Sequence, residues 1–204
     1  MRVDLAASER FPLRRRELAR RLLADAGDLL VVAGLGSTAW DVTAAGDRPL
    51  NFPLWGAMGG AAMVGLGLAL AQPERRVLVI TGDGELLMGL GSLATIAVQR
   101  PANLAIVAFD NERYGETGMQ ATHTAHGVDL AGVAAACGFA ITGTLRAGRE
   151  VEAALPAIRT APGPLLYVAK VRAEPLPFAL PPRDGAHLKD RFRRALLGEA
   201  ASGS

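Results

Sequence analysis

Five short apolar runs constrain the fold of this 204-residue chain: LLVVA (29–33), VLVIT (77–81), LAIVAF (104–109), FAIT (139–142) and PLLYVAKV (164–171). Each is rich in Val, Ile and Leu and is continuous rather than alternating. Unbroken runs of this kind are strands buried on both faces, as in a parallel sheet covered on each side. The stretches between them repeat at helical period. Glu85 to Gln99 places Leu86, Leu87, Leu90, Leu93, Ala94, Ala97 and Val98 at three- and four-residue steps, which predicts one helix. Further helices are expected over 14–24, over 129–137 with Asp129 as N-cap, over 150–159 and over 186–197. This alternation predicts an α/β fold, three layers α/β/α around a mostly parallel sheet. One domain is expected over 1–171, followed by a Pro-rich loop and helix as an extension over 172–204.

Composition narrows the function classes. A single cysteine, Cys137, excludes a disulfide framework, a four-cysteine zinc site and a cysteine-ligated iron–sulfur cluster. The net charge of +2 is too small to argue for nucleic acid without a concentrated basic stripe. Arginines 14–16, 20–21, 191 and 193–194 are read as solvated helix faces or subunit contacts. No charged residue lies between Leu50 and Pro73, the length of a membrane span. Glycines 56, 59, 60, 65 and 67, together with Pro53, favour instead a buried helix with a small-residue face. The N-terminus mixes acids with bases and has no secretory pattern, so a cytoplasmic chain is expected.

In such a sheet, ligands bind where loops leave the carboxyl ends of the strands. The loops to read are therefore 34–38, 55–60, 82–85 and 110–118. Gly82-Asp83-Gly84 lies between a strand and a helix, where backbone N–H groups can approach an anion. It is neither a Walker A loop nor a dinucleotide turn. A carboxylate beside phosphates makes electrostatic sense when a divalent cation lies between them. Twenty-five residues (85–109) separate this motif from Asp110-Asn111, enough for a helix and a returning strand. Asp83, the Asn111 amide oxygen and a following backbone carbonyl would then supply three hard oxygen ligands to Mg²⁺. On residue type alone Asp83 also suits a turn, Ser37 a helix cap and Met58 a core position.

This spacing resembles the thiamine-diphosphate signature. Residues 45–73, 82–97 and 110–120 together are similar to the beta subunit of sulfopyruvate decarboxylase and to the related phosphonopyruvate decarboxylases, with a resemblance extending over 28–171. It implies thiamine diphosphate and Mg²⁺ as cofactors, with Asp83, Asn111 and the carbonyl of Arg113 on the metal. Gly84 and Glu85 would offer N–H groups to the diphosphate, with Gly36 and Ser37 nearby. The Gly56 carbonyl would accept from the aminopyrimidine and Met58 would bend the cofactor, with Ala57, Tyr114 and Gly115 completing the cofactor-binding set. Glu85 departs from the Ser or Ala common in the decarboxylase branch, and Asp110 would act from behind the ligands.

Among the loop residues Glu116, Gln120, His123 and His126, His123 is the candidate for proton relay to a small anionic 2-oxoacid. The resemblance also implies a separate pyrimidine-domain (alpha) subunit of similar length, which carries the activating glutamate and without which this chain is inactive. The expected activity is decarboxylation of that 2-oxoacid. An acetolactate-synthase-like carboligase subunit and a non-catalytic cofactor-binding module are the alternatives.

Overall fold

The computed structural model describes residues 10–198; residues 1–9 and 199–204, the outer ends of the expected domain and extension, lie outside the described residues. Six strands form one parallel sheet in the order β2-β1-β3-β4-β8-β7. They are β1 (Leu30–Ala33), β2 (Asn51–Pro53), β3 (Val77–Gly82), β4 (Leu104–Asp110), β7 (Ile141–Leu145) and β8 (Leu165–Lys170). A small antiparallel ribbon, β5 (Arg113–Tyr114) with β6 (Gln120–Ala121), stands apart from it.

Successive strand residues face opposite layers, as the two-residue period requires. Val31, Leu78, Ile80, Ala105 and Val107 pack against α1 (Arg15–Leu23), α2 (Ser37–Ala45) and α7 (Gly148–Thr160). Leu30, Val32, Val79, Leu104 and Ile106 pack against α3 (Ala61–Ala71), α4 (Asp83–Met88), α5 (Ser92–Gln99) and α6 (Leu130–Cys137). The last helix, α8 (Gly185–Leu197), joins this second layer by stacking Phe192 on Phe52 at 5.4 Å. The expected three layers are present, and every residue of β4 is buried.

The local departures have physical causes. The single helix expected over 85–99 is two, α4 and α5, broken at Gly89-Leu90-Gly91. A Cβ on Gly89 would lie 2.1 Å from the Gly59 carbonyl oxygen, so backbone packs directly on backbone at the break. The fourth run, 139–142, begins too early: Gly138 ends α6 at φ +102° and the Phe139 N–H still bonds the Ala134 carbonyl. The strand is β7, at the sheet edge, and most of it is only half-buried. No described helix is long and apolar enough to cross a membrane.

Gly65 shows why the uncharged stretch carries small residues. Its Cβ would sit 2.2 Å from Val79 Cγ2, because α3 lies flat on β3. Gly65→Ala is expected to cost about 1–3 kcal/mol, since a buried β-branched neighbour cannot rotate away. Urea unfolding of the two proteins measures it.

Candidate active site

The strand order turns at β1. From β1 the chain passes through α2 to β2 on one side, then returns through α3 to β3 on the other. Loops leaving β1 and β3 therefore diverge and open a crevice at the carboxyl ends of the strands. A cleft of about 100 Å³ occupies that crevice, with Leu35, Ser37, Met58, Asp83, Asn111 and Tyr114 among its walls. Gly84, Glu85, Arg113 and Gly115 also line it, so loops far apart in sequence meet there as expected.

Asp83 is the electrostatic centre. It is almost wholly buried, and its Oδ2 accepts from the Thr122 hydroxyl at 2.6 Å and lies 3.3 Å from that of Thr124. Burial raises its pKa, and the Asp110 carboxylate raises it further, to about 7. Asp110 faces Thr124 at 2.8 Å and is matched by Lys170 Nζ at 2.7 Å. Asp83 has no ion pair among the described residues. Burial without a counter-charge disfavours the ionised form of this carboxylate.

The neighbouring turn orients the other oxygens. Asp110 Oδ1 accepts from the Glu112 N–H at 3.0 Å, and Asn111 Oδ1 from the Arg113 N–H at 2.9 Å. These two bonds curl the chain tightly enough for Glu112 to adopt φ +61°. The Tyr114 ring packs against Gly84, where a Cβ would meet its Cε1 at 2.5 Å. Glu116 leans over Gly36 at the mouth of the cleft, with its pKa raised by burial and opposed by Arg15.

Ser37 begins α2 and lines the cleft. That helix is anchored from below. Asp41, fully buried, accepts from Arg15 Nη1 at 2.9 Å and from Arg16 Nε at 3.1 Å. The reading of this arginine run as a solvated face thus fails for Arg15 and Arg16. Arg191 is also tied down, forming a two-point contact with Asp47 at 2.7 and 2.9 Å.

Other expected residues sit outside the cleft walls. Gly56 is exposed, and Ala57, also exposed, takes φ +59° in the loop leading to Met58. His123 and His126 are exposed on the short turn whose threonines hold Asp83. Sequence reasoning missed Thr122 and Thr124, although their i, i+2 placement around His123 is the pattern of two side chains sharing a face.

Comparison with known proteins agrees with this geometry. Over 127 residues the chain is 46% identical to the sulfopyruvate decarboxylase subunit beta of Methanothermobacter thermautotrophicus, covering 62% of this chain and 68% of that one. Over 153 residues it is 40% identical to the phosphonopyruvate decarboxylase of Streptomyces viridochromogenes, covering 74% of this chain but 38% of that longer protein. The solved benzoylformate decarboxylase of Polynucleobacter necessarius shares the fold, with a TM-score of 0.70 at 19% identity over 82% of this chain and 34% of that one. Residues 35–169 match the family described as thiamine pyrophosphate enzyme, C-terminal TPP binding domain, and the chain belongs to that family.

Proposed function

We propose that this chain is the diphosphate-binding subunit of a thiamine-diphosphate-dependent decarboxylase of small anionic 2-oxoacids, of the sulfopyruvate or phosphonopyruvate class. The observation that carries the reading is the charge-deficient Asp83 at the strand-order switch, sharing a cleft with Asn111, Arg113 and the start of α2. This donor set suits Mg²⁺: one carboxylate, one amide oxygen and a backbone carbonyl are hard ligands. Asp83, Asn111 and the Arg113 carbonyl would hold the ion, with Ser37 and Gly36 presenting backbone N–H groups to the diphosphate.

Thiamine diphosphate supplies a carbon nucleophile and an electron sink for loss of CO₂. The chain's own residues bind and orient. Thr122 and Thr124 fix the Asp83 carboxylate, Tyr114 shields Gly84 from water, and Met58 forms the wall nearest the exposed loop. His123, exposed on the turn outside the cleft walls, would be the group to exchange a proton with a bound 2-oxoacid.

A separate pyrimidine-domain subunit would complete the site and bring the activating glutamate. Support comes from the surface. Trp55, Met58, Met63 and Met88 are large exposed apolar residues, with Met58 on the cleft wall and the Met88 backbone seated against Gly59. Such a patch beside a site marks a protein interface.

The test co-expresses the chain with a pyrimidine-domain subunit and assays sulfopyruvate, phosphonopyruvate and pyruvate. CO₂ and the matching aldehyde are expected from the complex and not from the chain alone. A carbon–carbon coupled product would move the assignment to carboligation, and equal turnover by the isolated chain would sink the two-subunit reading.

A further inference from the structure

Glu85 contributes more than its backbone. Its side chain turns away from the solvent and is 5% exposed. Oε2 accepts from the Thr81 hydroxyl at 2.7 Å and Oε1 from the Ala61 N–H at 3.2 Å. The backbone at Gly82 and Leu35 lies close by. One carboxylate therefore touches the end of β3, the loop after β1 and the first turn of α3.

Gly34 corroborates this placement independently. A Cβ there would fall 1.7 Å from Glu85 Oε2 and 2.8 Å from its Cδ. Gly34 is not among the residues with positive φ, so its backbone does not demand glycine. Volume does: the carboxylate fills the space that a side chain at 34 would need.

We propose that Glu85 is a positioning residue, whose carboxylate holds the 34–37, 58–61 and 81–85 segments in register before the cofactor binds. The proposal rests on the reading of the cleft as a diphosphate site. The carboxylate accepts one hydrogen bond at each oxygen, from the Thr81 hydroxyl and from the Ala61 N–H. Glutamine can keep both contacts, its oxygen accepting from the Ala61 N–H and its NH₂ donating to the Thr81 hydroxyl, whereas alanine removes both. The carboxylate also accepts at the first turn of α3, from the Ala61 N–H. Met58 follows from the same contact, since Ala61 is the anchor of the loop that carries it.

The test uses the full chain free of cofactor, as wild type, Glu85→Gln, Glu85→Ala, Gly34→Ala and the Gly34→Ala/Glu85→Ala double variant. Hydrogen exchange at the Ala61 amide is expected to be about tenfold faster in Glu85→Ala and Gly34→Ala and close to wild type in Glu85→Gln, with β4 and β8 amides unchanged. Affinity for inorganic diphosphate with Mg²⁺ is expected to fall about tenfold in parallel in Glu85→Ala and Gly34→Ala. The double variant should be no worse than Glu85→Ala alone, because the new methyl enters the vacated space. Unchanged exchange in Glu85→Ala, additive losses in the double variant, or loss of protection without loss of diphosphate affinity would each overturn the positioning role. Absence of diphosphate binding by the wild-type chain would overturn the cofactor reading and the role built on it. The exchange contrast, measured without cofactor, tells that failure apart from failure of the contact itself.

Discussion

Asp83→Asn is expected to lower Mg²⁺-dependent affinity for thiamine diphosphate at least about a hundredfold in the assembled enzyme, because a buried charged ligand is removed without a replacement. The same substitution should stabilise the cofactor-free chain at neutral pH. Asp83 titrates near 3.8 when unfolded and near 7 in the folded chain, raised first by burial and then by Asp110. Below the unfolded value both states are protonated and Asp83 contributes nothing. As pH rises from about 4 to about 7 the unfolded chain releases this proton while the folded chain keeps it, so stability falls with pH. Above about 7 the loss levels off.

Asparagine carries no charge and removes that dependence. Melting temperatures of the metal-free proteins between pH 4 and 8, compared as wild type minus variant, measure the effect. A difference that does not change with pH would show that Asp83 is not the strained group. Adding Mg²⁺ and thiamine diphosphate to the complete enzyme should restore the wild type and leave the variant unmoved.

The second large effect is expected away from the cleft. Asp41→Ala should cost about 3–5 kcal/mol, the range for removing one partner of a buried ion pair. Two guanidinium groups converge on Asp41, whose side chain is 0% exposed, while those of Arg15 and Arg16 are 7% and 16% exposed. Alanine leaves Arg15 inside the protein with backbone carbonyls of Ser37 and Glu174 as its remaining partners. Since α2 carries Ser37, the cofactor affinity should fall along with the stability. Denaturant unfolding gives the first quantity and cofactor titration of the complex the second. A loss below about 1 kcal/mol would place this network among surface pairs, which contribute little.

Much of this architecture was legible because burial leaves a periodic trace. Four of the five apolar runs are central strands at nearly their expected limits, and Asp129 caps α6 by accepting from the Ala131 N–H at 3.0 Å. The edge strand was misplaced, since half-buried residues such as Thr142 and Thr144 carry a weaker signal than a buried run. α2 and β2 went unread: α2 has four buried residues, one of them Asp41, and β2 has three residues in all. Arg15 shows a signal passed over. It lies on the face of Leu18, Ala19 and Leu22, so helical period alone puts it toward the core.

The candidate ligands were legible for a different reason. Asp83 and Asn111 stand at strand ends, and strand length fixes where the chain leaves the sheet. Their supporting groups were not, because Thr122, Thr124 and Lys170 reach the site from loops and strands whose spacing holds no local rule.

The sequence by itself determined the layered parallel sheet, the sheet edge where the cleft lies and the residue types that line it. These follow from period, run length and chemistry, which are properties of neighbours along the chain. Only the tertiary structure decided which charges are buried and which are compensated. That depends on contacts across long loops: Asp83 with Thr122, Asp41 with Arg15, and Glu85 in the space left by Gly34. Desolvation and pairing act through space, so the electrostatic state of a site is settled only when distant segments close around it.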